Sequence, residues 1–543
     1  MQTKFIFIIG GVISGLGKGV ITASIGNLLK NFGYKVTVIK IDPYLNSDAG
    51  TMRPTEHGEV WVTEDGGEID QDLGNYERFL DITLSRDNNI TSGKVLFNVL
   101  EKERRGEYLG KTVMYIPHVT NEIKRQIIRI SKKDKYDFIL IEIGGVVGDY
   151  ENVLFLKAAQ LIEDKYPVMY IEIAYLPTPK HLGEMKTKPI QHAIADLGYT
   201  GIKPDMVIGR GETFLDKPRI KKISVSCGIH LDKIFSAPDV DNIYEMPLIL
   251  HRQKLDEKIL KIFDIKKRKR IDNKWKDYIE RIKKLKKQVR VAIIGKYIDS
   301  GKFTLKDSYI SVVEAVRHAS WHNRRKPELI WINAKSIEED KNRLKELEKV
   351  DCIIVPGGFG TSGIEGKIMA INYCRKNKIP YLGLCLGMQV AVIEFARNEC
   401  NLKGANSTEV DENTKYPVID IIKEQREAIA KKGYGGTMRL GLWPADLKKG
   451  SLVRRFYNDK KRVYERHRHR YEVNPKYIER IEKKGLVFSG CSPDKTLMEF
   501  IELPKSVHPF FVATQSHPEF TSRPMKPNPL FDNLIKAAID KKY

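Results

Sequence analysis

Phe5-Ile-Phe-Ile-Ile-Gly-Gly-Val-Ile-Ser-Gly-Leu-Gly-Lys-Gly19 is the stretch that decides the fold. A short apolar run, rich in β-formers, empties into a loop with glycines at 10, 11, 15, 17 and 19 and a lysine at 18, the pattern of a buried strand feeding a phosphate-binding loop. Glycines let backbone N–H groups turn onto phosphate oxygens, and Lys18 adds a point charge. Val20 to Phe32 carries apolar residues at helical spacing, so the loop sits at a helix N-terminus, where anions are favoured. Two departures from the usual pattern stand out. Five residues separate Gly11 from Gly17, and Gly19 follows Lys18 where a Ser or Thr would hold Mg²⁺. A metal ion must then be held by groups elsewhere, and carboxylates suit it best.

The chain has 543 residues, too many for one core, so two or more domains are expected. Ninety-three basic against 70 acidic residues give a net charge of +23, which keeps nucleic acid, anionic membrane and small anionic substrates in view as partners. No apolar run approaches the ~18 to 20 residues needed to span a bilayer. Lys4 is followed by an apolar run that ends in the glycine loop rather than at a cleavage site, unlike a signal peptide. The six cysteines (227, 352, 374, 385, 400, 491) lack CxxC spacing, which argues against a zinc site or disulfide scaffold and fits a reducing, cytoplasmic setting. Lysine and glutamate enrichment with few cysteines is also a thermophilic bias.

Residues 1–265 alternate strand-like and helical patterns, which predicts an α/β domain with a mostly parallel sheet and helices on both faces. Tyr34-Lys-Val-Thr-Val-Ile-Lys40 reads as a second strand, with Lys40 and Asp42 at its carboxyl end as site candidates or as an ordinary ion pair. From Tyr44 to Arg78 a long stretch shows little periodicity; a loop of that length is functional or disordered, and Val60 and Trp61 favour function. Asp70 and Asp72 add carboxylates there. Glu142 interrupts the apolar run Phe138-Ile-Leu-Ile-Glu-Ile143, where a carboxylate needs a cation or a partner. With Asp72 it is the leading metal-ligand candidate, the alternative being a buried pair with a lysine. Lys186-Thr-Lys-Pro-Ile-Gln191 has the form of a clamp for a phosphorylated ligand, and Lys222-Ile-Ser-Val-Ser-Cys227 reads as a strand. Residues 266–288 hold twelve basic and three acidic side chains, with Ile279, Ile282 and Leu285 in register, and read as a solvated amphipathic linker helix.

Residues 289–543 form a second α/β pattern. Val289–Gly295 and Asp351–Val355 read as strands, and Pro356-Gly-Gly-Phe-Gly360 as a tight turn. Gly383-Leu-Cys-Leu-Gly387, between strand and helix, has the layout of a nucleophile elbow, with Cys385 at a helix N-terminus that favours the thiolate. Thr514-Gln-Ser-His-Pro-Glu519 supplies His517 as base and Glu519 to orient it. Gly358 and Leu386 are placed to offer backbone N–H groups to an oxyanion. Cys352, inside an apolar strand, reads as core.

Gly-Leu-Cys-Leu-Gly-Met-Gln with a downstream His-Pro-Glu resembles the class I glutamine amidotransferases. The glycine loop, Gly50-Thr-Met-Arg-Pro-Thr-Glu-His-Gly-Glu59, Glu142-Ile-Gly-Gly-Val-Val-Gly-Asp149 and Lys186-Thr-Lys-Pro189 resemble the CTP synthase family, and these motifs span nearly the whole chain. The resemblance implies two doubly wound domains, a dethiobiotin-synthetase-like parallel sheet with the phosphate loop and a flavodoxin-like glutaminase sheet. It implies that ATP with Mg²⁺ phosphorylates the O4 of UTP and that ammonia from glutamine displaces the phosphate to give CTP. Gly15, Leu16, Gly17, Lys18, Gly19, Val20, Asp72, Asp239 and Val240 match the family's ATP positions, and Asp72 and Glu142 its metal positions. Ser14, Asp149, Tyr150, Glu151, Lys186, Thr187, Lys188, Pro189, Ile190, Gln191 and Lys222 match UTP or CTP positions, with Lys18 and Lys40 stabilising the transferring phosphoryl group. Gly358, Leu386, Gly387, Met388, Gln389, Glu409 and Arg470 match glutamine positions, and Phe359 and His57 fall where the activator GTP and the domain-coupling lid are expected. Ile190, Pro238 and Ile310 stand where other members carry threonine or lysine. The family further implies a cytoplasmic homotetramer, filaments, feedback inhibition by CTP, and no nucleic-acid or membrane partner.

Two other readings remain at this point. One is another ATP-dependent amide ligase with a glutaminase domain, which has no need of Lys186-Thr-Lys-Pro189 beside the Gly50-Thr-Met stretch. The other is a nucleotide switch or nucleic-acid-binding protein, resting on the charge and the basic 266–288 segment, in which a cysteine elbow has no use.

Overall fold

A computed structural model describes residues 2–11, 15–268, 274–296, 299–300, 303–304, 306–421 and 438–540. Ser14 lies outside them. Two compact units form, one of Met1–Ala49 with Asp72–Glu280, the other of Gly50–Gln71 with Arg281–Tyr543. Residues 50–71, placed by sequence order in the first domain, therefore belong with the second unit.

In the first unit seven parallel strands run in the order Asn89–Thr91, Val36–Asp42, Phe138–Ile143, Lys4–Gly11, Val168–Tyr175, Met206–Gly211 and Ile234–Pro238. Every residue of Lys4–Gly11 is buried, as a central parallel strand covered on both faces requires. Phe5, Phe7 and Ile9 pack toward the helices Thr120–Asp134 and Val153–Glu163. Helix Lys18–Asn31 packs against Asp72–Leu80 and Met246–Arg252.

The predicted strand at Lys222–Cys227 is instead part of a helix, Lys217–Cys227. Asp216 caps it by accepting from the Arg219 N–H at 3.0 Å, Pro218 opens its first turn, and Gly228 closes it in the left-handed region at φ 63°. These end signals outweigh the β-branched run between them. The basic segment also differs from a solvated linker. Its helix, Lys274–Lys283, buries Trp275, Tyr278 and Ile279, and Trp275 lies 5.7 Å from the Phe79 ring while its Nε1 donates to the Tyr244 carbonyl at 3.0 Å.

The second unit is built on a nine-stranded mixed sheet. Lys326–Asn333, Gln288–Gly295, Cys352–Val355, Tyr381–Leu384 and Phe511–Thr514 are parallel neighbours, and Met498–Glu502, Val487–Cys491, Arg439–Leu447 and Arg462–His469 continue it antiparallel. Helices Ile364–Lys376 and Leu386–Asn398 cover one face, Ile310–His322 and Pro529–Asp540 the other. The stretch 50–71 contributes a short helix, Pro54–His57, and a hairpin of Val60–Val62 with Glu68–Asp70.

Trp275→Ala is expected to destabilise the chain by about 3–5 kcal/mol, as for other buried aromatic truncations. Denaturant unfolding measures it, and a loss below about 1 kcal/mol contradicts the packed role of this helix.

Candidate active sites

In the first unit the glycine loop turns into helix Lys18–Asn31 through Gly15 at φ 73° and Gly17 at φ 75°, conformations that favour glycine. Gly10 is small for a different reason. A Cβ there would lie 2.6 Å from Lys18 Cδ, so the lysine side chain runs across it, and its Nζ donates to the Gly145 carbonyl at 2.7 Å. Burial holds the Lys18 amine below its ordinary pKa.

The departure at Gly19 has a physical cause. A Cβ on Gly19 would lie 2.2 Å from Asp72 Oδ1. The Asp72 carboxylate fills the space into which a Ser or Thr side chain at this position would extend. Its other oxygen accepts from Lys40, which also lies 3.3 Å from Glu142 Oε1 and 3.6 Å from Asp42 Oδ1. Tyr76 donates to the second oxygen of Glu142. The structure thus brings Lys18, Lys40, Asp72 and Glu142 together, and the alternative of a buried lysine pair for Glu142 is realised in Lys40. Burial raises the pKa of Glu142 and Asp42 against the pull of Lys40. Burial also opposes the Asp72 charge, but Lys40 and Lys18 outweigh it and its pKa falls.

Among the described residues no cluster of three or more His, Cys, Asp or Glu is spaced to hold a metal ion alone. The donor set still fits Mg²⁺, which is usually held by one or two carboxylates together with substrate phosphates. Asp72, set against the start of the loop helix, is the carboxylate that would offer an oxygen where the usual hydroxyl is missing.

Arg210 was not singled out from the sequence. Its Nε donates to the Leu16 carbonyl at 3.0 Å, one terminal nitrogen to the Ala237 and Pro238 carbonyls at 2.8 and 2.9 Å, and the other to Asp239 Oδ1 at 2.9 Å. It therefore ties the phosphate loop to the segment bearing Asp239 and Val240. Only the fold reveals it, because its partners are mostly carbonyls distant in sequence.

Lys188 opens helix Lys188–Tyr199, with Gln191 Nε2 donating to Thr187 Oγ1 at 3.2 Å. Lys186 pairs with Glu184 at 2.9 Å, and the positive charge of Lys222 also acts on that carboxylate. Ile190 is fully buried and faces the core, and Thr187 is buried too, whereas Lys188 is exposed. Tyr150 is exposed, and Asp149 Oδ2 accepts from the Val146 N–H at 3.1 Å.

In the second unit Cys385 caps helix Leu386–Asn398 with φ 51° and ψ −105°, a strained conformation for a residue with a side chain. A Cβ on Gly383 would lie 2.4 Å from Tyr381 Oη, and one on Gly387 2.1 Å from the Val355 carbonyl oxygen, so both flanking glycines are required. Cys385 N donates to the Thr514 carbonyl at 2.8 Å, which places the elbow beside the strand leading to His517. His517 Nδ1 lies 2.7 Å from Glu519 Oε1. Burial disfavours a charged His517, yet the Glu519 carboxylate and the Cys385 sulfur raise its pKa to about 10. Cys352 is core, its thiol pushed up by burial.

Around the cysteine, Gln515 Nε2 lies 3.7 Å from Sγ, and Gln389 Nε2 donates to the Tyr471 carbonyl at 2.9 Å. Glu409 Oε1 accepts from the Gly360 N–H at 2.8 Å; burial raises its pKa, and the positive charge of Arg470 works against that rise. Lys296 and the fully buried Lys367 hold carbonyls at the two ends of the 356–360 turn, Lys367 donating to Pro356 at 3.2 Å and Lys296 to Phe359 at 3.3 Å. Burial lowers the Lys296 pKa to about 8. A cavity here is lined by Cys385, His517, Gly358, Phe359, Pro54 and Val60. His57 Nδ1 lies 3.6 Å from Asp70 Oδ2 in the same unit.

The family described as CTP synthase N-terminus matches residues 4–265, and the one described as glutamine amidotransferase class-I matches residues 304–537. A CTP synthase from Pyrococcus abyssi is 52% identical over 545 residues, covering 100% of this chain and 99% of its own. The chain belongs to the CTP synthase family. CTP synthases from Thermococcus gammatolerans and Methanocaldococcus jannaschii are 51% and 50% identical, covering 100% and 99% of this chain and 100% and 99% of their own. The glutaminase domain of Trypanosoma brucei CTPS with bound acivicin shares 36% identity at a TM-score of 0.43, covering 47% of this chain and 96% of its own. As a CTP synthase family member, the chain is a ligase that hydrolyses glutamine. No helix among the described residues is long and apolar enough to cross a membrane.

The His517 geometry carries a pH signature. Because the folded-state pKa of about 10 exceeds the ordinary value near 6.5, the stabilisation from this pairing is complete below about pH 6.5 and is lost as pH rises through about 10. Glu519→Gln is expected to be less stable than the unaltered chain near neutral pH and to converge with it near pH ~10, as urea unfolding at several pH values will show. A stability gap independent of pH contradicts the assignment.

Proposed function

We propose that this chain synthesises CTP by joining two reactions. In the first unit ATP phosphorylates the O4 of UTP, turning a poor leaving group into phosphate, and ammonia then replaces it at C4. The reading rests above all on Gly19. A phosphate loop that has given up its hydroxyl in favour of the Asp72 carboxylate is built for phosphoryl transfer, and a nucleophilic cysteine elbow in the same chain supplies nitrogen. Lys18 and Lys40 stabilise charge on the transferring phosphoryl group, and Asp149, Tyr150, Glu151, Lys186 to Pro189, Gln191, Lys222 and Ser14 hold the pyrimidine nucleotide, with Ile190 packing their helix onto the core. The ATP positions run from Gly15 to Val20 and include Asp239 and Val240. Asp72 and Glu142 would hold Mg²⁺, which neutralises phosphate charge when bound.

In the second unit Cys385 Sγ attacks the side-chain amide carbon of glutamine. His517 passes a proton to the leaving nitrogen, ammonia departs, and a thioester remains. Water, deprotonated through His517, then releases glutamate and restores the thiol. The Gly358 and Leu386 N–H groups face the oxyanion, while Gly387, Met388, Gln389, Glu409 and Arg470 bind glutamine, the arginine meeting its α-carboxylate. GTP acts as activator near Phe359 and His57, CTP inhibits, and the protein works as a cytoplasmic homotetramer able to form filaments.

Cys385→Ala is expected to abolish CTP formation from glutamine and to keep the rate from added ammonia within about twofold, followed by the absorbance change of uracil becoming cytosine. Loss of both rates in a folded variant contradicts two separate sites. An active glutaminase that leaves UTP unchanged in the presence of ATP favours a different amide ligase.

Gly19→Ser would restore the usual loop hydroxyl, yet overlap with Asp72 is expected to weaken MgATP binding by about tenfold or more, measured by calorimetry. Unchanged affinity contradicts the role given to Asp72.

A further inference from the structure

The catalytic pair hangs on one strand whose outward anchors come from residues 50–71. In Arg462–His469, the backbone carbonyls of Arg466 and Arg468 face the catalytic residues. The His517 backbone N–H donates to the Arg466 carbonyl at 2.7 Å, and Cys385 Sγ lies 3.8 Å from the Arg468 carbonyl. Residues two apart on a strand share a face, and the side chains of these two arginines both reach the 50–71 segment.

Arg466 donates to the Val62 carbonyl at 3.0 Å and lies over the Trp61 ring at 5.2 Å. Arg468 is held more tightly. Its Nε donates to Glu68 Oε1 at 2.8 Å, a terminal nitrogen donates to the Gly50 carbonyl at 3.2 Å, and its guanidinium covers the Phe359 ring at 5.0 Å. The Glu68 carboxylate is almost wholly buried, and a Cβ on Gly50 would lie 2.4 Å from its second oxygen, so the surroundings are shaped around it. Phe359 belongs to the glycine turn that carries Gly358. One ion pair thus bears on the nucleophile through a backbone carbonyl and on the oxyanion turn through an aromatic ring.

We propose that Glu68 is a positioning residue of the glutaminase: acting through Arg468, it sets the Cys385 nucleophile and the Phe359 turn. The 50–71 segment is then a working part of the glutaminase, although it sits between strands of the other unit in sequence. A second link supports this role, because Trp61 packs on Phe520 at 4.9 Å and Phe520 stacks on the His517 ring at 5.3 Å. The inference rests on the glutaminase assigned above and does not depend on which nucleotide the first unit aminates.

The test uses the full chain with Glu68→Gln, Arg468→Gln and the double variant, following glutamate release, ammonia-dependent CTP formation and iodoacetamide labelling of Cys385 by peptide mass spectrometry. Glu68→Gln is expected to lower kcat for glutamine about tenfold or more with KM changed less than about threefold, and to slow Cys385 labelling, while the ammonia-dependent rate stays within about twofold. The double variant is expected to be no worse than the poorer single one, since both changes break one link. Unchanged glutamate release, losses that multiply in the double variant, or a parallel fall of the ammonia-dependent rate would each overturn the proposal. Glu68→Asp, which keeps the charge, should recover part of the labelling rate; equal loss in Asp and Gln variants assigns Glu68 to packing alone. A wild-type chain that releases glutamate but never forms CTP would refute the ligase reading and leave this one standing.

Discussion

Lys40 places one ammonium among three carboxylates, Asp42, Asp72 and Glu142, at the carboxyl end of a fully buried strand. Buried charge survives only where it is compensated, and burial raises the pKa of Asp42 and Glu142 against the pull of Lys40. The surroundings follow from this constraint. Gly19 lacks a side chain because Asp72 occupies its space, Gly10 lacks one because Lys18 crosses it, and Tyr76 turns its hydroxyl onto Glu142. On the proposed reading a divalent cation carrying nucleotide phosphates completes the balance, and the two lysines are then left to face the transferring group.

The glutaminase solves a different problem, that of presenting a nucleophile without losing its orientation. Strain at Cys385 is supported by two glycines that admit no Cβ, by the hydrogen bond to Thr514 and by the Arg468 carbonyl beside its sulfur. Glu519 and the Cys385 sulfur favour the protonated His517 against burial, and on the proposed reading that proton goes to the leaving amine. The turn from Pro356 to Gly360 is held by lysines at both ends and by Arg468 over Phe359, which leaves its peptides little freedom.

Much of this was legible in the residues. The strand, glycine loop and helix at the N-terminus are legible in composition, and the missing hydroxyl at Gly19 directs attention to Asp72 and Glu142, which the fold brings together around Lys40. The cysteine elbow and His517 with Glu519 were readable because each is local in sequence. Arg210, Arg468 and Lys367 were not, since a residue that acts by donating to distant carbonyls has no pattern around it. The strand pattern at Lys222–Cys227 misleads because Ile223 and Val225 alternate with polar residues, whereas the caps at Asp216 and Gly228 make the stretch the end of a helix. Trp275 was passed over because the charge around it suggested solvent, whereas its helix buries an aromatic face. The docking of residues 50–71 with the second unit is a long-range fact, carried by contacts such as Glu68 to Arg468 across 400 positions.

The central claim is that the glycine loop activates the O4 of UTP by phosphorylation before nitrogen enters. UTP labelled with ¹⁸O at that oxygen, incubated with the full chain, MgATP and glutamine, tests it most directly by mass spectrometry of the products. The account predicts that the label leaves the nucleotide and appears in inorganic phosphate in step with CTP. Label found in water, with unlabelled phosphate formed beside CTP, would contradict it.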